Sequence, residues 1–307
     1  MTKVGWIGLG AMGAPMAACT ARAGHHTKAF DIDPTRAQAL AADGVTPAAS
    51  VADAAADADV LVLMVATPAQ VESVLYGDGN AAASLEPGAA VVIMATVGPA
   101  PVHDWARRLS AHDVDVVDAP VSGGVARARA GDLLIMVGGP EPAVGRVRPV
   151  LDAMARSAPL VGPKAGDGQK VKLVNQLLCG VHIAAAAEAL AFAEAMDLDS
   201  HACWEVLRDG AAASFMLDDR GARMVDNAFA EPKSALDIFV KDMGLVTDAA
   251  RQTTYPTPLA TVAEQLYLTG RRAGLGRLDD SSLINVLRGA LPTPEASPNA
   301  PTSGAAH

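Results

Sequence analysis

Short apolar runs alternate with helical segments as far as residue 163, and after that point the apolar runs stop. "KVGWIGLG", "HTKAFDID", "DVLVLMVA", "AAVVIMAT", "DVDVVDAP" and "DLLIMVGG" have the length and apolar content of buried strands. Between them "AMGAPMAACTARAG" has helical spacing and stops at Gly24, and Pro34 to Ala42 reads as a helix with Asp33 as its cap. Strands alternating with helices predict an α/β fold, a doubly wound parallel sheet covered on both faces. Beyond residue 163 the pattern turns helical. Runs are expected over Lys170 to Met196, His201 to Asp209, around Ala235 to Gln252, around Leu259 to Ala273, and from Asp280 to Arg288, where Asp280 or Ser281 would cap. "VGPKAGDG" supplies the breakers between the two textures. With 307 residues the chain is long for one core. We therefore expect an α/β domain over 1–163, an all-helical domain over 164–292, and a disordered tail over 293–307, which is rich in Pro, Ser and Ala.

Bulk chemistry narrows the function classes. The net charge of −10 argues against binding to nucleic acid, since phosphate backbones need a basic surface. The 3 cysteines, Cys19, Cys179 and Cys203, have no zinc or redox spacing, so reduced thiols in the cytoplasm are expected. His103, His182 and His201 do not share a metal-ligand spacing either. No basic and then apolar leader opens the chain, and the most apolar helical runs are interrupted by Asn, Gln, His and Glu. Neither a secretory signal nor a membrane span is predicted.

Gly8, Gly10 and Gly13 form G-x-G-x-x-G directly after the first strand and into the first helix. In that setting the first glycine permits the tight turn, the second lets a pyrophosphate approach, and the third allows close helix–strand packing. The helix N-terminus offers N–H groups to phosphates. Gly8, Leu9, Gly10, Ala11, Met12 and Gly13 are thus the expected cradle of a dinucleotide in a Rossmann domain. Asp31, at the end of the second strand, can accept both adenosine ribose hydroxyls and would repel a 2′-phosphate, which predicts NAD over NADP. Arg36, in the next helix, is the nearest cation to it. The turn from Met64 through Val65 and Ala66 to Val71, with Pro68 starting a helix, should line the other side of the cofactor. Thr96, after the fourth strand, should lie near the nicotinamide ribose. "DAPVSGG" follows the fifth strand, at the carboxyl end of the sheet. There Ser122 offers a hydroxyl, and Gly123 and Gly124 offer bare N–H groups, a set that suits a substrate carboxylate.

"GDGQKVKLVNQLL" places two lysines at the start of an apolar helical run. At about 100° per residue, Lys172, Asn175 and Gln176 share one face and Cys179 continues it, whereas Lys170 lies about 200° from Lys172. Lys170 then reads as a solvated charge. Val171, Val174 and Leu178 form a separate apolar stripe, expected to pack. Lys172, among amides, is either a snorkelling side chain or a proton-transfer group. A lysine in water, with a pKa near about 10.4, is mostly the wrong form for a base at neutral pH. Partial burial and a helix N-terminus would bring it toward neutrality.

"GLGAMGAPMA", "DAPVSGG", "GDGQKVKLVNQ" and "FVKDMGL" occur in order, and together they resemble the four signatures of the β-hydroxyacid dehydrogenase family, the relatives of 3-hydroxyisobutyrate dehydrogenase. Stretches between the motifs are most similar to the L-threonate dehydrogenase branch. The resemblance implies a Rossmann domain joined through a long helix to an all-helical domain, dimers or tetramers, and NAD-dependent oxidation of a short hydroxy acid. It places the catalytic lysine at Lys172 and the substrate-binding pair at Asn175 and Gln176. Asn-Asn is the usual pair, and the L-threonate branch often has His where this chain has Asn175. It also brings Lys241 toward the cofactor or substrate; a salt bridge to Asp237 on the same helix face is the alternative. Imine reductases share the architecture and usually lack the lysine. A cofactor-binding module without turnover is the rival from a different class.

Overall fold

The computed structural model describes residues 1–291, so the tail expected over 293–307 lies outside the described residues. Strands β1 (Lys3–Ile7), β2 (His26–Phe30), β3 (Thr46–Pro47), β4 (Val60–Leu63), β5 (Ala90–Ile93) and β6 (Asp115–Asp118) are followed by β7 (Val121–Ser122), β8 (Leu133–Ile135), β9 (Val137–Gly138), β10 (Ala155–Ser157) and β11 (Leu160–Gly162). The main sheet has the order β11-β9-β6-β5-β4-β1-β2-β3, and a small second sheet has the order β10-β8-β7. From β3 to β6 every pairing is parallel, as expected. The expectation fails at "DLLIMVGG". This run is not one parallel strand but two short ones, β8 pairing antiparallel with β7 and β9 antiparallel with β6. Residues 123–132, the link before β8, are fewer than a parallel crossover needs, so the chain returns antiparallel.

Side chains alternate across the sheet and feed two apolar layers. Val4, Trp6, Val60, Val62, Val92 and Val117 belong to one cluster of buried residues. Ile7, Leu61, Leu63, Val91, Ile93 and Val116 belong to the other. Both faces are therefore covered, which accounts for strands that are continuously hydrophobic.

The polypeptide divides into two compact units within the helix Asp167–Ala195, at Val174 and Asn175. The second unit is helical, with helices Ser200–Leu207, Phe215–Val225, Leu236–Gln252, Pro258–Arg272 and Ile284–Arg288. The Phe215–Val225 helix was not expected; its signal is Ser214, which accepts a hydrogen bond from Leu217 N as the cap. Asp279, and not Asp280 or Ser281, caps the 3-10 turn Asp280–Leu283 by accepting from Ser281 N. Asp280 is instead buried against Arg220, and Arg223 pairs with Asp279.

The apolar stripe on the long helix is also corrected. Val171, Val174 and Leu178 are 38%, 62% and 49% exposed. Gln169, Lys172, Leu173, Gln176, Ile183, Ala187 and Leu190 are buried instead. The inner face thus carries large aliphatic residues, two glutamines and Lys172 together with alanines. This helix is long and apolar enough by composition to cross a bilayer, and 44% of its most apolar window is buried in the fold.

Candidate active site

In the first unit the glycine loop sits where β1, β2 and β4 end side by side. Gly8 N donates to Phe30 O, and Met64 N donates to Ile7 O. Gly8 has a φ of +96°, and a Cβ there would lie 2.5 Å from Met64 O; a Cβ on Gly13 would lie 2.1 Å from Gly8 O. Both glycines are thus required by the protein's own backbone. Gly10 is different, because a Cβ there would meet nothing within 4 Å. Bare backbone facing open space suits the approach of a pyrophosphate, so the loop fits a dinucleotide.

Asp31 is 8% exposed. Its Oδ2 accepts from Leu9 N at 2.7 Å and its Oδ1 from Asp33 N at 2.9 Å, which ties the acid to the glycine loop. Arg36 lies 3.7 Å from Asp31 and 3.5 Å from Asp33. The Met64–Thr67 turn is fixed by a capping box. Gln70 Oε1 accepts from Ala66 N and Thr67 N, while Thr67 Oγ1 accepts from Gln70 N. Met64, Val65 and Ala66 keep exposed surface. Val71 does not: it is fully buried in the core, as Leu9 nearly is. One turn into its helix, Val71 faces the sheet and contributes packing.

Two residues that sequence reasoning passed over organise the start of the long helix. Gln169 is fully buried; its Oε1 accepts from Val97 N and Gly98 N at 3.0 and 3.1 Å, and its Nε2 donates to Ala95 O at 2.9 Å. It grips the chain on both sides of Thr96. Asp118 is also fully buried and accepts from Gly166 N and Gln169 N, each at 2.6 Å. Burial pushes its carboxyl up to about 7, against the two N–H donors that pull it down. The available signal was position: Gln169 precedes Lys172 by three residues on the same face.

Lys172 is 6% exposed, and its Nζ donates to Val121 O at 2.8 Å. The amine therefore lies against the residue that precedes Ser122. Gly123 and Gly124 follow with positive φ, +141° and +73°. Lys170 points elsewhere and pairs with Asp167 at 2.7 Å on the surface. Structure and helix geometry agree in separating the two lysines.

In the second unit Asn175 Nδ2 donates to Gln176 Oε1 at 2.8 Å and lies 3.4 Å from Cys179 Sγ. Gln176 Nε2 donates to Asp242 Oδ2 at 2.5 Å, and Lys241 Nζ lies 3.0 Å from Asp242 Oδ1. The alternative partner expected for Lys241 is corrected. Asp237 pairs with Arg271 at 2.6 Å, and the carboxylate beside Lys241 is its own neighbour, Asp242.

Comparison with known proteins agrees with this architecture. Residues 3–162 match the family model of the NAD binding domain of 6-phosphogluconate dehydrogenase. Residues 166–287 match that of the NAD-binding of NADP-dependent 3-hydroxyisobutyrate dehydrogenase. An L-threonate dehydrogenase from Pectobacterium atrosepticum is 40% identical over 294 residues, covering 95% of this chain and 96% of that one. One from Cupriavidus necator is 41% identical over 287 residues, covering 94% and 96%. A crystal structure of 3-hydroxyisobutyrate dehydrogenase from Salmonella typhimurium superimposes with a TM-score of 0.88 at 39% identity, covering 93% of this chain and 100% of that one. With both halves matched and relatives aligned nearly end to end, this chain belongs to the NAD(P)-dependent hydroxyacid dehydrogenases related to 3-hydroxyisobutyrate dehydrogenase.

Proposed function

We propose that this enzyme oxidises L-threonate, or a sugar acid of similar size, to the oxo acid with NAD as the preferred cofactor. The observation that carries the reading is a nearly buried amine, Lys172 Nζ, 2.8 Å from Val121 O in the loop that continues to Ser122. The relatives named L-threonate dehydrogenase support the choice of substrate. NAD, when bound, supplies the hydride acceptor. Lys172 takes the proton from the substrate hydroxyl as the carbon loses its hydride, and returns it in the reverse direction. Ser122 and the N–H groups of Gly123 and Gly124 hold the carboxylate, and Asn175 orients the hydroxyl-bearing end. Gly8 through Gly13 seat the pyrophosphate, and Asp31 takes the adenosine ribose. Met64, Val65, Ala66 and Thr96 border the cofactor's other side, with Val71 supporting them from the core. Lys241 serves the cofactor from the helical unit. Free thiols and an NAD-linked reaction fit the cytoplasm.

The test is a panel of hydroxy acids with NAD and with NADP, read by nicotinamide absorbance. L-Threonate should give the highest kcat/KM. A clear preference for 3-hydroxyisobutyrate, or for reduction of 2-hydroxy-3-oxopropionate, would move the substrate assignment. Lys172→Ala should lower kcat by about 10²–10⁴-fold with NAD affinity retained, the range of a lost general base. Lys170→Ala should be mild. Near-normal turnover in Lys172→Ala would reject the proton-transfer role.

A further inference from the structure

We propose that Gln169 is a positioning residue: it locks the backbone on both sides of Thr96 to the helical turn that carries Lys172, and so sets the nicotinamide half of the cofactor against the proton-transfer group. This rests on the reading above, which puts Thr96 beside the nicotinamide ribose, and it names the residue that keeps the two places in register. Strands β5 and β6 pair in parallel, with Ile93 opposite Asp118. Thr96 and Val121 each come three residues after that pair, so the two loops leave the same edge of the sheet side by side. One turn of the long helix meets both loops. Gln169 takes the β5 loop, its Oε1 accepting from Val97 N at 3.0 Å and Gly98 N at 3.1 Å, and its Nε2 donating to Ala95 O at 2.9 Å. Lys172 takes the β6 loop, with Nζ 2.8 Å from Val121 O. Three helical residues rise about 4.5 Å, close to the ~4.8 Å between neighbouring strands, so the spacing of Gln169 and Lys172 matches that of the two loops. The place also demands a carboxamide. Ala95, Val97 and Gly98 are buried, while Thr96 between them keeps exposed surface. Buried backbone groups need partners, and here one carbonyl calls for a donor while two N–H groups call for an acceptor. Glutamine carries both at one end. Gln169 is fully buried, and its own N–H donates to Asp118 at 2.6 Å, so its backbone is held as well. Residues 95–98 are therefore tied to a fixed point of the helix, three residues before Lys172, and all of these groups belong to the first unit.

Two measurements test the register. The first needs no substrate: NAD, and ADP-ribose, which lacks the nicotinamide, are titrated into the protein by calorimetry. Gln169→Leu should weaken NAD binding by about tenfold or more, since the hydrogen bonds that steady one half of its site are gone. ADP-ribose affinity should stay within about twofold. A residue that only stabilised the fold would weaken both alike or neither, and either result would overturn the proposal. Should the protein prefer NADP, then NADP and 2′-phospho-ADP-ribose take their place. The second measurement is turnover of L-threonate at saturating NAD. In Gln169→Leu kcat should fall by about 10²-fold, as for a misplacement of about 1 Å, with KM for the acid within about twofold. Added to Lys172→Ala, the same substitution should lower kcat by less than about tenfold more, because the register has already lost one of its ends. An equal drop in the two backgrounds, or none in folded Gln169→Leu, would refute the register. If the wild type does not oxidise L-threonate, the substrate reading fails by itself, and the ratio of the two affinities decides: a ratio equal to that of the wild type sinks the proposal. If Gln169→Leu does not fold, Gln169→Asn, one methylene shorter, keeps the amide but withdraws it from residues 95–98, and the same split between NAD and ADP-ribose is required of it.

Discussion

At the residue scale, Asp31 does two things with one carboxylate. It braces the glycine loop through Leu9 N and Asp33 N, and in the proposed function its charge guards the place of the adenosine ribose. Arg36 is held 3.7 Å away and stays about half exposed. The cation that a 2′-phosphate would need is therefore close by, countered by an acid. Asp31→Ser removes the repulsion and releases Arg36. NAD efficiency should fall and NADP efficiency should rise, shifting their kcat/KM ratio by about 10²-fold, as measured from initial rates with each cofactor. The variant also loses an acceptor for two N–H groups, so its stability should drop by about 1–3 kcal/mol. An unchanged cofactor ratio would show that the selectivity is set elsewhere.

At the element scale, the long helix is anchored at its first turn by Asp118, and the carboxyl of that residue titrates in a testable window. Its folded value of about 7 stands above the unfolded value near about 3.9. The folded state then binds the proton more tightly, so this contribution is full below about pH 4 and is lost as pH rises through about 7. Asp118→Asn cannot ionise. Its denaturation midpoint, followed in urea from pH 4.5 to 8, should fall less with pH than that of the wild type. Its amide must set an N–H against Gly166 N or Gln169 N, so at low pH the variant should be less stable by about 1–3 kcal/mol. A wild-type slope equal to that of the variant would remove Asp118 as its source. What was legible in the sequence follows the same division. The glycine loop, Asp31 and the separation of Lys172 from Lys170 rest on local spacing, which helix and strand periods fix. The grip of Gln169 on residues 95–98 and the Gln176–Asp242 contact, 66 residues apart, depend on which elements become neighbours. The break of "DLLIMVGG" into β8 and β9 was hidden because a continuous apolar run carries no mark of its pairing partner. The inner face of the long helix was misread for a related reason. Apolarity marked Val171, Val174 and Leu178, but the buried face is the one that carries Leu173, Ile183 and Leu190 with alanines and two glutamines.

At the scale of the whole molecule, that misread stripe bears on assembly. Val171, Val174 and Leu178 recur at helical spacing, Phe192 lies about four turns further along the same side, and Met196 follows just past the helix end; these two are 61% and 48% exposed. Exposed large apolar side chains in a row on one helix are costly in water and mark an association surface. We propose that a second copy of this chain covers them, in a homodimer or homotetramer. Half of the composition is hydrophobic, yet the net charge of −10 keeps the remaining surface soluble, so association should be confined to such faces. The wild type should sediment above the mass of one chain, 31.2 kDa, at micromolar concentration. Placing charges on the stripe, as in Val174→Glu combined with Leu178→Glu, should shift it to the monomer with its helical circular dichroism retained. Both substitutions fall on exposed positions, so they cost the isolated chain little, and a loss of assembly would be a property of the face. A wild type that sediments as a single chain at tens of micromolar would refute the assembly and leave the stripe as bare surface.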